Sequence, residues 1–110
     1  MKYTINYYND TVQQEVMNLP HGLAGRYVAL TKRMIQSGAN LGEPHTQAMS
    51  GGLFELRLKS AEGIARVFYC TLIGKQIVML HSIIKKTQKT PAKELNLAQT
   101  RMQEVKNAYP

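Results

Sequence analysis

The feature that most constrains the fold is a change to period-two hydrophobicity in the middle of the chain. Residues 53–59, LFELRLK, alternate apolar and charged side chains, so a strand here has one apolar and one charged face. A β-branched and aromatic run follows at 64–72, and 76–84 is the most apolar run of the sequence. Short glycine-containing connections separate the three segments. The pattern predicts three antiparallel strands joined by hairpins, with the last as a central strand.

The rest of the chain predicts one more strand and three helices. Residues 2–8 alternate in character and are rich in Tyr, Thr and Ile, which is typical of a half-buried strand. The N-cap cluster 9–11 starts a short helix that Pro20 stops, and a second helix runs to Gly38. Thr90 and Pro91 open the last helix. The apolar stripes of the helices are Val12, Val16 and Leu19; Leu23, Tyr27, Leu30 and Met34; and Leu95, Ala98, Met102 and Val105.

This order predicts an α+β fold, β-α-α-β-β-β-α, with a small, mainly antiparallel sheet and helices packed on one face. Residues 39–52 hold Gly and Pro without periodicity and are expected to form a loop. A length of 110 residues fits a single domain, 1–110. No segment resembles a signal peptide or a membrane span, and Cys70 is the only cysteine, so we expect a cytoplasmic protein with no membrane partner.

Positive charge is concentrated between residues 57 and 89. The chain has 14 Lys and Arg against 7 Asp and Glu, a formal net charge of +7. This balance favours an anionic partner, such as nucleic acid or an anionic membrane face, although a solvated basic loop would have the same composition. The segment contains one anion, Glu62, and seven cations. They are Arg57, Lys59, Arg66, Lys75, Lys85, Lys86 and Lys89.

Three pieces of the second half, GLFELR, ARVFY and LHSIIKKTQKTPAKEL, together resemble the HigB-type, phage-derived toxins of the RelE superfamily. The likeness covers about half of the chain, and the N-terminal half agrees only in its coarse layout. Ser82 and Ile83 stand where relatives often have Gly-Phe. The resemblance implies a RelE-like fold and a ribosome-dependent, metal-independent endoribonuclease that cleaves translated mRNA and needs no cofactor. It also implies a cognate helix-turn-helix antitoxin as partner.

Metal-independent RNA cleavage requires a base for the ribose 2′-hydroxyl, cations for the phosphate and an acid for the leaving oxygen. The histidines and carboxylates lack ligand-like spacing, which disfavours a metal nuclease. By resemblance, Arg66 occupies the position of the family's arginine. We assign Arg57 and Arg66 to the scissile phosphate, since guanidinium groups bind phosphate oxygens in pairs. The further candidates are Lys85 and Lys86 for proton transfer, tuned by repulsion within the lysine cluster, and Lys59, Gln88 and Lys89 for RNA contacts.

Several assignments stay open at the level of sequence. Lys85 and Lys86 are adjacent in a strand and point to opposite faces, so which of them is base and which is acid is undecided. His81 alternates with Met79 and Lys85 and could shuttle protons, but a hydrogen-bonded core histidine fits the same pattern. Two other readings of the whole chain are a non-catalytic module on the same fold, such as a gyrase-binding toxin, and an inactive prophage remnant.

Overall fold

The computed structural model describes residues 2–86 and 89–108, which form a five-stranded sheet and three helices. The predicted order of elements is confirmed with one addition, a three-residue strand inside the segment 39–52. A strand this short shows no detectable periodicity. The elements in chain order are β1 (Thr4–Tyr7), α1 (Asp10–Met17), α2 (His21–Ser37), β2 (Thr46–Ala48), β3 (Phe54–Ser60), β4 (Gly63–Leu72), β5 (Gln76–Lys85) and α3 (Ala92–Ala108).

The strands are arranged in the order β1-β5-β4-β3-β2. Strands β2 to β5 pair as an antiparallel series, and β1 pairs in parallel with β5. The parallel pair is possible because α1 and α2 form part of a long connection between β1 and the rest of the sheet. The α+β class and the mainly antiparallel sheet are therefore confirmed, and β5 is an interior strand as its apolar sequence indicates.

The helices cover both faces of the sheet, so the prediction that they pack on one face is wrong. Helices α1 and α2 pack on the face formed by Leu56, Val67 and Met79, whereas α3 packs on the opposite face. The physical reason lies in β4 and β5, which are apolar on both sides. Phe68 and Leu80 are fully buried beneath α3 and would otherwise be exposed to water.

Local signals in the sequence set the ends of α1 and α2. The side chain of Asn9 accepts a hydrogen bond of 2.8 Å from the amide of Val12 and so caps α1, as predicted. Gly38 ends α2 with a backbone φ of 117°, a conformation that a residue with a Cβ rarely adopts. The apolar stripes of α1 and α2 lie in the same core cluster, on one face of the sheet.

A bulge in β5 changes which of its residues face α3. Phe68 pairs with His81, but the next residue of β4, Tyr69, pairs with Met79, so Leu80 has no opposite residue on β4. One extra residue reverses the alternation of side chains beyond it. Met79 packs in the core beneath α1 and α2, while the ring of His81 stacks on Phe68 on the other face. The predicted alternation of His81 with Met79 is therefore wrong.

Within residues 2–86 and 89–108, none of the helices has the length and apolarity needed to cross a membrane.

Candidate functional site

A buried carboxylate, Glu55 on β3, holds two arginines together. Its Oε2 accepts a hydrogen bond from Nε of Arg57 at 3.3 Å, and its Oε1 lies 3.1 Å from Nε of Arg66. Glu55 is only 4% exposed, and the two arginines are directly opposite each other on β3 and β4. Like charges in opposite positions repel across a strand pair. The shared carboxylate offsets that repulsion and fixes both guanidinium groups.

An open cleft of about 590 Å³ lies beside this pair, and we call it the arginine cleft. It brings together the predicted residues Arg57, Lys59 and Arg66, and adds a cation from α2 and an imidazole from the segment before β2. Such a concentration of positive charge in a concave surface attracts anions. The lining residues are Arg26, Pro44, His45, Arg57, Lys59, Ile64 and Arg66.

The guanidinium of Arg57 is held by acceptors of unequal exposure. Its NH2 donates to the side-chain oxygen of Gln47, and its NH1 lies 3.5 Å from the carboxylate of Glu43. The Glu43 side chain is 71% exposed, whereas that of Glu55 is 5% exposed. A phosphate entering the cleft can therefore displace Glu43 at little cost while Glu55 keeps Arg57 in position.

Arg66 is more enclosed than Arg57, with a side chain 14% exposed. Its NH1 donates to the carbonyl of Ala65 at 3.1 Å, which with the Glu55 contact sets the orientation of the guanidinium plane. Burial lowers the pKa of Arg66 from its ordinary value, Arg57 lowers it further, and Glu55 raises it. Arginine stays charged despite such shifts, so Arg66 is a fixed and partly desolvated cation at the cleft.

Lys85 is the last residue of β5, opposite Ile64 of the arginine cleft. Burial lowers the pKa of its ammonium group, Arg66 and Arg57 lower it further, and Glu55 raises it. The cations that lower this pKa are thus Arg66 on the adjacent strand β4 and Arg57 on β3, and the predicted repulsion from Lys86 and Lys89 is not among its causes. Lys85 forms part of the same electrostatic cluster as the two arginines.

The other lysines line a second cleft of about 510 Å³, which we call the lysine cleft. Lys86 and Lys89 are exposed residues of its lining, and Lys85 also lines it. The predicted site is therefore divided between two neighbouring clefts. Gln88 lies outside the described residues. The lysine cleft is lined by Glu15, His81, Ser82, Ile83, Ile84, Lys85, Lys86, Lys89, Pro91 and Glu94.

His81 is tied to the first turn of α3. Its Nε2 is 2.6 Å from the Glu94 carboxylate, its Nδ1 is buried, and the residue is 9% exposed. The ring also stacks on Phe68 at a centroid distance of 6.3 Å. These contacts match the hydrogen-bonded core reading of His81, with the imidazole linking α3 to the sheet.

Sequence reasoning missed three residues of the candidate site, two that line the arginine cleft and the buried carboxylate beside it. Glu55 is one of the charged residues of the LFELRLK pattern, but the pattern does not indicate that its carboxylate is buried. Arg26 lies on the exposed side of an amphipathic helix, and His45 lies in a segment without periodicity. Only the tertiary structure brings them to Arg57. In the part of the chain that the structure describes, no three His, Cys, Asp or Glu side chains group as a metal site requires.

Comparison with known proteins gives a family and a structural neighbour. Residues 14–103 match the model of the family described as phage derived protein Gp49-like. A chain of the crystal structure of the archaeal RelE-RelB complex from Pyrococcus horikoshii OT3 aligns with a TM-score of 0.56 and 18% identity, over 78% of this chain and 98% of that chain. Among the curated proteins, no match is found. The structural likeness confirms the predicted RelE-like fold.

Proposed function

Because the chain belongs to the Gp49-like family of phage-derived proteins, we propose that it is the toxin of a type II toxin-antitoxin system, of the HigB type. Its activity in this proposal is endonucleolytic cleavage of translated mRNA on the ribosome, without a metal ion, and the consequence is growth arrest. The RelE-like fold supports the toxin class, and the solved neighbour is a chain of a RelE-RelB complex.

The observation that carries the proposal is the pair of arginines fixed by Glu55 beside an open cationic cleft. A scissile phosphodiester gains negative charge on its nonbridging oxygens as the 2′-oxygen attacks. Arg57 and Arg66 are already oriented by a carboxylate that is itself buried, so little reorganisation is needed when that charge develops. A basic surface selected only for solubility would have no need of a buried counterion.

Proton transfer falls to Lys85 in preference to Lys86. Lys85 is partly buried and its pKa is lowered, with burial as the largest cause and Arg66 next. A lysine tuned in this way gives up its proton to a leaving oxygen more readily than an ordinary one. Lys86 follows the end of β5 and is exposed, which suits a contact with the RNA backbone, as for Lys59 and Lys89.

The partner in this proposal is a helix-turn-helix antitoxin that covers the arginine cleft and so blocks access of mRNA. The surplus positive charge of the toxin then attracts two anionic surfaces, the RNA of the translating ribosome and an acidic face of the antitoxin. Induction of toxin without antitoxin is expected to leave the cleft open. The proposed place of action is the cytoplasm, because translated mRNA is available there.

The test is induction of the protein and its variants in a bacterial host, with growth and mRNA 5′ ends as readouts. We expect arrest with new 5′ ends inside translated codons for the wild type, and neither effect for Arg66→Ala or Lys85→Ala. Lys86→Ala should keep most of the activity. The matched control is Lys32→Ala, since Lys32 is an exposed lysine of α2 outside both clefts.

The same experiment separates the two alternatives. Growth arrest that persists in Arg66→Ala without new mRNA ends would contradict the ribonuclease and favour a non-catalytic toxin, such as one that binds gyrase. Absence of both arrest and cleavage in the wild type, with the protein folded, would favour an inactive prophage remnant.

A further inference from the structure

The segment that carries His45 is anchored firmly to the strand that carries Arg57. The carbonyl of His45 accepts a 2.8 Å hydrogen bond from the amide of Arg57, and the amide of His45 donates to the carbonyl of Gly42 at 3.0 Å. The hydroxyl of Thr46 accepts from the Gly42 amide at 2.9 Å and donates to Asn40 at 2.9 Å. The imidazole is therefore presented to the arginine cleft from a segment with little freedom to move.

The groups that face His45 are mostly cationic. Arg26 and Arg33 approach from α2, and Arg57, Lys59 and Arg66 line the same cleft from β3 and β4. The carboxylate of Glu43 lies two residues away and is paired with Arg57. Burial lowers the pKa of His45 from its ordinary value, and the charges of Arg33 and then Arg26 lower it further. This shift favours the neutral imidazole, whose unprotonated nitrogen can accept a proton.

Neither of the other histidines offers the same chemistry at this cleft. His81 is bonded to Glu94 through Nε2, and its Nδ1 is buried. His21 lies at the start of α2, where it lines an apolar groove with Val16 and Val28. His45 is thus the histidine that the fold places beside the proposed phosphate-binding arginines.

We propose that His45 is the proton acceptor for the ribose 2′-hydroxyl in the RNA cleavage described above, an inference that rests on the proposed function. One imidazole nitrogen takes the proton of the 2′-hydroxyl as the 2′-oxygen forms a bond to phosphorus. The bond from phosphorus to the 5′-oxygen breaks, and the ammonium of Lys85 gives its proton to that oxygen. The products are a 2′,3′-cyclic phosphate and a 5′-hydroxyl, so no water, metal or other reactant is consumed.

The sheet places these two groups on opposite sides of the arginines. The backbone of His45 is hydrogen-bonded to the outer edge of β3, and Lys85 lies on β5. Arg57 and Arg66 lie on β3 and β4, between these two positions. Three strand spacings separate the two backbones by about 14 Å, so a phosphodiester group bound by the arginines would lie between the backbones of His45 and Lys85. Attack and departure on opposite sides of the phosphorus need this arrangement.

The test is single-turnover cleavage of an mRNA on translating ribosomes, with purified protein from about pH 5 to about pH 9. The wild-type rate should fall on the acid side, and His45→Gln should reduce the rate about 100-fold to 10,000-fold and remove that acid limb. Imidazole added to His45→Ala should restore part of the rate. The control is His21→Gln, which should have the wild-type profile.

Binding of an RNA with a 2′-deoxy nucleotide at the cleavage position tests whether the variants keep a native cleft. His45→Gln and His45→Asn should bind this RNA within about twofold of the wild type, since neutral imidazole contributes no charge. If the wild type cleaves the mRNA and His45→Gln shows the same rate and the same acid limb, the role of His45 is overturned while the proposed function stands. Absence of cleavage by the wild type would overturn the proposed function and this inference with it.

Discussion

The network around Glu55 gives a quantitative test of the site. Glu55→Gln keeps the size and one acceptor oxygen but removes the charge that faces Arg57 at 3.3 Å and Arg66 at 3.1 Å. A hydrogen bond to a charged group contributes about 1.5 to 3 kcal/mol, and the exposed part of Arg57 regains some stabilisation from water. We expect the substitution to lower the free energy of unfolding by about 2 to 3 kcal/mol, close to 10 °C in Tm for a chain of this length.

The reasoning predicts that the loss depends on Arg66. In an Arg66→Met background the buried cation is gone, so Glu55→Gln should cost only about 1 kcal/mol, and the cycle should give a coupling of about 1 to 2 kcal/mol. The assay is urea unfolding followed by circular dichroism for the four proteins. Glu15→Gln is the matched control because Glu15 is exposed, and it should change stability by less than about 0.5 kcal/mol. Additive effects of the two substitutions would refute the shared-carboxylate account.

Two further predictions concern the surroundings of the cleft. Glu43→Gln removes the exposed carboxylate that competes for Arg57, so binding of the 2′-deoxy RNA should tighten about twofold to fivefold at low salt. Fluorescence anisotropy measures this binding. Weaker binding would contradict the displacement of Glu43 by phosphate. Tyr69→Phe removes the hydroxyl that donates to the Ala39 carbonyl at 2.6 Å, so the free energy of unfolding should fall by about 1 to 2 kcal/mol. A thermal melt measures this loss, and an unchanged Tm would show that this buried hydrogen bond contributes nothing to stability.

The fold followed from patterns that act over short distances along the chain. Asn9 caps α1, Gly38 ends α2, and the LFELRLK alternation forms β3 with Leu56 and Leu58 in the core. Each of these signals depends on neighbours within a few residues, so sequence alone is sufficient to detect it. The assignment of three helices to one face failed because the sequence does not show that β4 and β5 need cover on both sides.

The candidate site was only partly accessible to the same reasoning. The alternation of β3 and β4 could place Arg57 and Arg66 on one face, but the burial of Glu55 between them depends on packing across strands. The bulge at Leu80 inserts one residue, and no periodicity marks where the alternation reverses. His45 lies in a segment with no pattern at all, and its position beside the site follows from the hydrogen bond between its carbonyl and the amide of Arg57 on β3.

The most direct test of the central claim is the rate at which purified protein cuts an mRNA on translating ribosomes when Arg66 is changed. Arg66→Lys keeps the charge but loses the planar pair of donors, and Arg66→Ala loses both. We predict cleavage inside translated codons by the wild type, a rate at least about 100-fold lower for Arg66→Ala, and an intermediate rate for Arg66→Lys. Folded Arg66→Ala protein that cuts mRNA at the wild-type rate would contradict the account.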